Sequence, residues 1–544
     1  YYKSLKYSPN ERVGQYGVEQ TYESYLRGKP GYVRYEVNAL GQILRELERV
    51  EPVPGNDIQL SVDLDYQQFV EQALETMLSL RRQADAGTVK LENGDPDPQY
   101  PEVNFYKAPA GSAILMNNET GEIVAMASYP NFDNRWFNSG ITSEKFKSLF
   151  PATKDPDQAI MVNRAVSGRY NLGSTFKPFT AYAALDSGQI ADPLKYKYRD
   201  EGTYKLESIP NGRCQEGVKC VFKNAFCSAT NTPCRYGPVT VEDALAVSSD
   251  AFFYKIGEQI LTQRGYRPIL EEEVRKFGYG APTGVDLPFE YGGALPSKEL
   301  KQQLAEAGAI PKDEGRAYYV GDNVQFAIGQ GLLAATPLQV GVAYSALGNN
   351  GKVVTPHVVK RILDSGTPDG DAGFADVSKA VVLEDRTQGE IIRQLNFKPE
   401  VHDPIVRGLT RVVNGPGVEW DIYHKATGEF LFKNYPRKQL PIAGKTGTAQ
   451  GFKNLPWNDS SAFAAFSLDP TRPFTAVAYL EKSGYGSQAA APVVKCIFTA
   501  LAGAVKTQDV VPSNPLDINS TAVARSQRLV SPLCLSGFGG GVRD

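Results

Sequence analysis

Three short motifs stand in order along the chain: Ser174-Thr-Phe-Lys177, Ser248-Ser-Asp250 and Lys445-Thr-Gly-Thr448. Together they supply a hydroxyl nucleophile, an amine three residues on, a second hydroxyl with a carboxylate, and a further cation. A serine is inert at its own pKa and requires an adjacent base; Lys177 can serve if burial lowers its pKa. Residues three apart share a helix face, and Ser174 follows Gly173 into the helical run Phe176–Leu185, which stops at Ser187-Gly188. The start of a helix also favours developing negative charge. Each motif alone has a plainer reading. S-x-x-K recurs by chance in many helices, Ser248 resembles a capping serine, and Lys445 resembles a solvated lysine at a strand end. All three in order argue for one active-serine acyl-transfer site.

The local patterns around the motifs suit that chemistry. Thr240 with Asp243 three residues on predicts an N-capped helix ending near Val247. Ser248-Ser-Asp250 then interrupts the helical pattern before Ala251–Ile260 resumes it. Such a corner aims Ser248 and Asp250 into a cleft, where Asp250 can orient Lys177 through a charged hydrogen bond. The Lys445 motif ends an apolar strand, Leu440–Gly444. Gly447 lets a substrate backbone approach as an added strand would. Lys445 and Thr446 can hold a carboxylate, and the Thr448 and Ser174 N–H groups can form an oxyanion hole. The three histidines, His357, His402 and His424, lie outside every motif, and no serine sits in a G-x-S-x-G elbow. A Ser-His-Asp hydrolase is therefore disfavoured.

Apolar periodicity supplies the elements that must position these groups. A helix is predicted over 66–83, and a hairpin over Ala113–Met116 and Ile123–Ala127 across the turn Asn117–Gly121. Strands Ala462–Phe466 and Phe474–Leu480 and a helix Ala489–Val505 follow the last motif. A sheet assembled from both ends of the domain, with helices inserted between, is the simplest arrangement. The expected class is α+β, with a central antiparallel sheet of about five strands, flanking helices and a large helical part. The expected division is 1–55 as a remnant of an N-terminal domain, 56–506 as the catalytic domain, and 507–544 as a loosely ordered tail.

Net charge −3 over 544 residues leaves no electrostatic footprint for nucleic acid. No apolar stretch reaches the roughly 18 residues of a membrane span; Ala489–Val505 is interrupted by Lys495. The chain opens on Tyr1-Tyr-Lys without a signal-peptide pattern, as expected of the soluble part of something longer. Six cysteines form an even set: Cys214, Cys220, Cys227 and Cys234 are clustered, and Cys496 and Cys534 lie far downstream. All six are disulfide candidates for an oxidising compartment. The alternative for the cluster is a four-thiolate zinc site, which spacings of five, six and six intervening residues, without a C-x2-C knuckle, disfavour.

S-x-x-K, a serine-aspartate variant of S-D-N, and K-T-G are the motifs of penicillin-binding proteins and serine β-lactamases. From Gly111 to about Val505 the chain resembles the transpeptidase domain of class B penicillin-binding proteins. Further phrases carry the likeness: Thr120-Gly-Glu-Ile-Val-Ala-Met-Ala-Ser-Tyr-Pro130, Asn163-Arg-Ala165, Gly329-Gln-Gly331, Thr336-Pro-Leu-Gln339 and Gly444-Lys-Thr-Gly-Thr-Ala-Gln450. Gly17-Val-Glu-Gln-Thr-Tyr-Glu, Leu26-Arg-Gly28 and Val53-Pro-Gly-Asn-Asp57 resemble the pedestal-to-transpeptidase join of the elongation type. The resemblance implies the penicillin-binding-protein/serine β-lactamase-like fold with a partial N-terminal pedestal. It implies Ser174 as acylated nucleophile, Lys177 as its base, Ser248 as proton relay, and Lys445 and Thr446 as holders of the donor carboxylate. It further implies peptidoglycan stem peptides as substrates, β-lactams as inhibitors, no cofactor, a membrane-embedded glycosyltransferase partner, and an N-terminally anchored, extracytoplasmic enzyme. Two departures stand out. Asn171-Leu-Gly replaces Pro-Pro-Gly before Ser174, predicting a looser turn, and Asp250 stands where most members carry Asn. A serine β-lactamase or β-lactam sensor would be more compact, with a shorter path from Ser174 to Lys445, and no residue stands out as a deacylating base. A non-catalytic scaffold would not need the intact nucleophile, base and cation.

Overall fold

The computed structural model describes residues 7, 11–84, 86, 105–137, 140–150, 159–209, 220–225, 233–365, 368–369, 374–375, 377–416, 426–429, 431–451, 458–507 and 534. Cys214, Cys227 and nearly all of the 507–544 tail lie outside them.

In chain order, an N-terminal hairpin pairs β1 (Tyr32–Val37) with β2 (Ile43–Val50), and helix α1 spans Leu64–Arg82. The predicted hairpin is β3 (Gly111–Asn117) and β4 (Ile123–Tyr129). Its turn is held by Asn117 Oδ1, which accepts from the Glu119 and Thr120 amides, and by Gly121 at φ +77°. After a 3-10 turn at Gly173–Phe176 comes α2 (Lys177–Asp186). Four short strands follow: β5 (Tyr198–Asp200), β6 (Thr203–Lys205), β7 (Val221–Lys223) and β8 (Gly237–Val239), paired β5 with β8 and β6 with β7. Then come α3 (Val241–Ala246), α4 (Asp250–Thr262), α5 (Val320–Ala327), α6 (Pro337–Gly348) and α7 (Pro399–Asn414). Strands β9 (Ile442–Ala449), β10 (Ser460–Ser467) and β11 (Phe474–Leu480) and helix α8 (Ala490–Leu501) close the set.

The central sheet runs β9-β10-β11-β3-β4, antiparallel throughout, so five strands from both ends of the domain meet as predicted. Side chains alternate across a strand, and here both faces are covered. Ile114, Met116, Ala464, Phe466 and Val477 enter a core shared with α2, α4 and α6, whereas Ala113, Leu115, Phe463, Ala465 and Ala476 enter a second core with α1 and α8. This explains why the strands read as continuous apolar runs rather than as alternating ones.

Helix α2 is buried on every side, with Phe179 set edge-on to Phe277, Tyr279 and Tyr344. Each such ring contributes about 1.5–3 kcal/mol by leaving water. That packing fixes the helix that carries Lys177. Helix α3 starts with a full capping box, in which Thr240 Oγ1 accepts from the Asp243 amide and Asp243 accepts from the Thr240 amide. Because α3 leads directly into Ser248, Thr240→Ala is expected to cost about 1 kcal/mol, read as a lower midpoint in urea unfolding.

The cysteines divide into two groups here. Cys220 and Cys234 are both disulfide-bonded. A sulfur already bonded to sulfur is no thiolate ligand, so the four-thiolate zinc alternative for Cys214, Cys220, Cys227 and Cys234 falls. Cys496 and Cys534, by contrast, are free thiols rather than a disulfide. Both are buried in the second core as hydrogen-bonding neighbours, and burial pushes the Cys496 thiol pKa up, keeping it protonated.

Candidate active site

Ser174 sits in the 3-10 turn, directly ahead of α2, where residues three apart eclipse. It is partly exposed, and its hydroxyl forms no hydrogen bond among the described residues. The turn is wedged between two glycine-containing segments. The Leu172 and Gly173 amides both donate to Gly329 O, at 3.0 and 2.9 Å. Gly173 lies at φ +53°, and a Cβ there would fall 2.3 Å from Thr448 O. A Cβ at Gly447 would likewise meet Leu172 O and the Thr175 side chain at 2.7 Å. The glycines let the nucleophile turn lie directly against β9, which brings Ser174 beside Gly447 and Thr448.

The turn is not loose, despite lacking the two prolines. Tyr479 OH donates to Asn171 O, Asn171 Nδ2 donates to Gly331 O, and Tyr344 OH donates to Thr175 O at 2.7 Å. Backbone and tyrosine hydroxyls supply the restraint that proline rings would otherwise give. Gln330 Nε2 bonds Thr448 O at 3.0 Å, tying the Gly329-Gln-Gly331 segment to β9.

Lys177 is fully buried. Its Nζ donates to Asp250 Oδ1 at 2.7 Å, to Ser248 O at 2.7 Å and to Ser248 Oγ at 3.1 Å, and stands 5.4 Å from the centre of the Phe253 ring. Burial pushes the Lys177 pKa below that of an ordinary lysine, while the Asp250 carboxylate, and then Asp200, pull it back up. Ser248 occupies the corner between α3 and α4 at φ +59°, a left-handed conformation that costs a non-glycine residue about 1–2 kcal/mol. That geometry turns both its carbonyl and its hydroxyl onto Lys177.

Lys445 and Thr446 are also buried. The K-T-G motif lies within β9 rather than after it, because the strand continues to Ala449, paired through Thr448–Ser461 and Ala449–Ser460. β9 is an outer strand of the sheet. Thr446 Oγ1 donates to Thr427 Oγ1 at 2.7 Å, and the Thr427 amide bonds Ala246 O, so a loop from 426 to 429 links β9 to α3. The Gly329-Gln-Gly331 phrase had marked Gln330, but no sequence signal marked Thr427, Asp200 or Asn224, whose hydrogen bonds join separate segments of the chain. His357 and His402 bond backbone carbonyls well away from this cluster, and His424 lies outside the described residues.

The antiparallel sheet, the buried lysine behind a helix-start serine, and the K-T-G edge strand bring the three motifs together at one place in the fold. Residues 111–499 match the penicillin binding protein transpeptidase domain, and residues 1–60 match the penicillin-binding protein dimerisation domain. The chain belongs to the penicillin-binding protein transpeptidase family, on its elongation-type class B branch. It is similar to the peptidoglycan D,D-transpeptidase MrdA of Haemophilus influenzae, 27% identical over 506 residues, covering 91% of this chain and 63% of that relative. MrdA of Escherichia coli K12 is 30% identical over 364 residues, covering 67% of this chain and 47% of the relative. The chain therefore spans less than two thirds of the length of these relatives. Among solved structures, a chain of a peptidoglycan synthase complex coordinating polymerization and crosslinking superposes with a TM-score of 0.65 at 27% identity, covering 92% of this chain and 72% of that one. Penicillin-binding protein 2 of Pseudomonas aeruginosa, bound to WCK 5153, gives a TM-score of 0.61 at 25% identity, covering 91% and 85%.

Proposed function

We propose that this chain carries the D,D-transpeptidase centre of an enzyme that cross-links peptidoglycan stem peptides during wall elongation. The observation that carries the reading is the buried Lys177, held by Ser248 and Asp250 on the turn that presents Ser174 to β9. Neutral Lys177 takes the Ser174 proton as Oγ attacks the carbonyl of the D-Ala–D-Ala bond. The Ser174 and Thr448 N–H groups receive the oxyanion, each such donor being worth about 2.7–4 kcal/mol in the transition state. Ser248 passes the proton to the departing D-alanine amine, leaving an ester on Ser174. An amine of a neighbouring stem peptide then attacks that ester and restores the serine. Lys445 and Thr446 hold the donor's terminal carboxylate, and Gly447 admits its backbone along β9.

The disulfides at Cys220 and Cys234 fit the oxidising, extracytoplasmic face of a bacterial membrane. A membrane anchor and a glycosyltransferase partner belong to the same proposal. Among the described residues no helix is long and apolar enough to cross a membrane.

A fluorescent penicillin tests the reading. The expected result is one adduct per chain, mapped to Ser174 by peptide mass spectrometry and persisting after excess ligand is removed. Rapid release would indicate a β-lactamase, and no adduct a scaffold.

Asp250→Asn has a signed pH effect. Acylation rises with pH as Lys177 loses its proton, and the Asp250 carboxylate raises the pKa of Lys177. Removing that charge is expected to move the acid limb of the acylation-rate profile to lower pH. An unmoved limb would detach Asp250 from the base.

A further inference from the structure

The segment between α2 and α3 is bolted to α4 by two buried carboxylates, and neither belongs to the three motifs. On the strand side, Asp200 is fully buried at the end of β5 and accepts three donors: Ser249 Oγ at 2.5 Å, Asn224 Nδ2 at 2.9 Å to both oxygens, and the Gly202 amide at 2.7 Å. Burial pushes the Asp200 pKa up, and the hydrogen bonds from Ser249, Asn224 and Gly202 oppose that rise. On the helix side, Glu258 of α4 accepts from Tyr204 OH and from the Glu207 and Ser208 amides. Asn224 closes the knot, since its Oδ1 accepts from the Ala251 amide in the first turn of α4 at 2.7 Å, while its Nδ2 also reaches Cys234 O.

The knot grips both residues beside the acylation machinery. Ser249 lies between Ser248 and Asp250, and Ala251 follows Asp250. Ser248 holds a left-handed backbone conformation that its own residue type does not favour, so something outside α3 and α4 must over-determine it. Asp200 and Asn224 are the buried groups placed to do so. Their own scaffold is rigid: the Asn224 amide bonds Gly202 O, the Cys234 amide bonds Ala225 O, Leu206 bonds Cys220 O, and both Cys220 and Cys234 are in disulfides.

Resting on the acyl-transfer reading above, we infer that Asp200 and Asn224 are positioning residues that clamp the Ser248–Asp250 corner onto Lys177, with the paired strands β5 to β8 as their frame. This gives β5 to β8 a task in the reaction. Asp200 also acts at a distance on Lys177, whose pKa its charge raises. The charged groups facing that amine are Asp250 from α4 and Asp200 from β5; Asp186, Glu273 and Lys276 interact at the far end of α2.

The test is the second-order rate of penicillin acylation as a function of pH, measured on the whole chain with Asn224→Ala, Ser249→Ala and Asp200→Asn. A displaced corner takes Asp250 away from Lys177, so Asn224→Ala and Ser249→Ala are expected to lower the rate about 10²-fold and to move the acid limb to lower pH. In Asp200→Asn the rate falls and the limb likewise moves to lower pH, a change that mere loss of folded protein would not produce. If Asp200→Asn does not fold, Ser249→Ala removes the same contact from the other side and decides the matter by rate and acid limb together. Folded variants that acylate at the unmodified rate with an unmoved limb overturn the clamp while leaving the acyl-transfer reading intact. Absence of acylation in the unmodified chain overturns both.

Discussion

Ser174→Ala is expected to leave no covalent penicillin on the chain, while changing stability by no more than about 0.5 kcal/mol. The hydroxyl is partly exposed and makes no hydrogen bond among the described residues, so the fold loses nothing with it. Lys177→Met is the companion experiment. Methionine keeps most of the volume in a site that is wholly enclosed, and removes only the amine. Without a base the serine stays protonated, so the acylation rate constant is expected to fall about 10²–10⁴-fold, with Ser174 still the residue modified. Stopped-flow fluorescence with a labelled penicillin reads both results. Labelling of Ser174→Ala at another residue, or near-normal acylation of Lys177→Met, would dismantle the assignment of nucleophile and base.

Gly173→Ala is expected to damage fold and activity together. An alanine at φ +53° costs about 1–2 kcal/mol in backbone strain. The new methyl group would stand 2.3 Å from Thr448 O, a backbone atom of a strand held along its whole length by β10 that cannot swing aside. Overpacking of this kind adds about 1–3 kcal/mol. The relief available is to push the nucleophile turn away from β9. That separates the Ser174 and Thr448 N–H groups, so acylation is expected to fall by more than the stability loss explains. Thermal unfolding monitored beside the acylation rate separates the two effects. A variant with normal stability and normal acylation would show that the close approach of turn and strand is dispensable.

Much of the site was legible in the chain because its chemistry is local. A serine and a lysine three apart meet on any tight helical turn, and a lysine ahead of Thr446 and Gly447 in an apolar run marks a strand able to receive a backbone. The strands of the central sheet were legible for a related reason: burial on both faces makes them continuous apolar runs, bounded by turns such as Asn117–Gly121 and Asp469–Pro473. The pairing partners of the cysteines were not legible. Cys496 and Cys534 suggested a bond by number alone, whereas their packing leaves them as neighbouring thiols. The looser turn expected at Asn171 also failed, since its restraint comes from Tyr479, Tyr344 and Gly329, residues 150 or more positions away.

Residue order alone determined which groups can react, because nucleophilicity, charge and helical spacing are properties of side chains and their near neighbours. Only the folded chain decided that Lys177 is sealed from water against Asp250, that Ser248 is turned onto it, and that Asp200 and Asn224 stand behind both. Those facts depend on desolvation and on hydrogen bonds between segments far apart in the chain, and neither quantity exists until the segments pack.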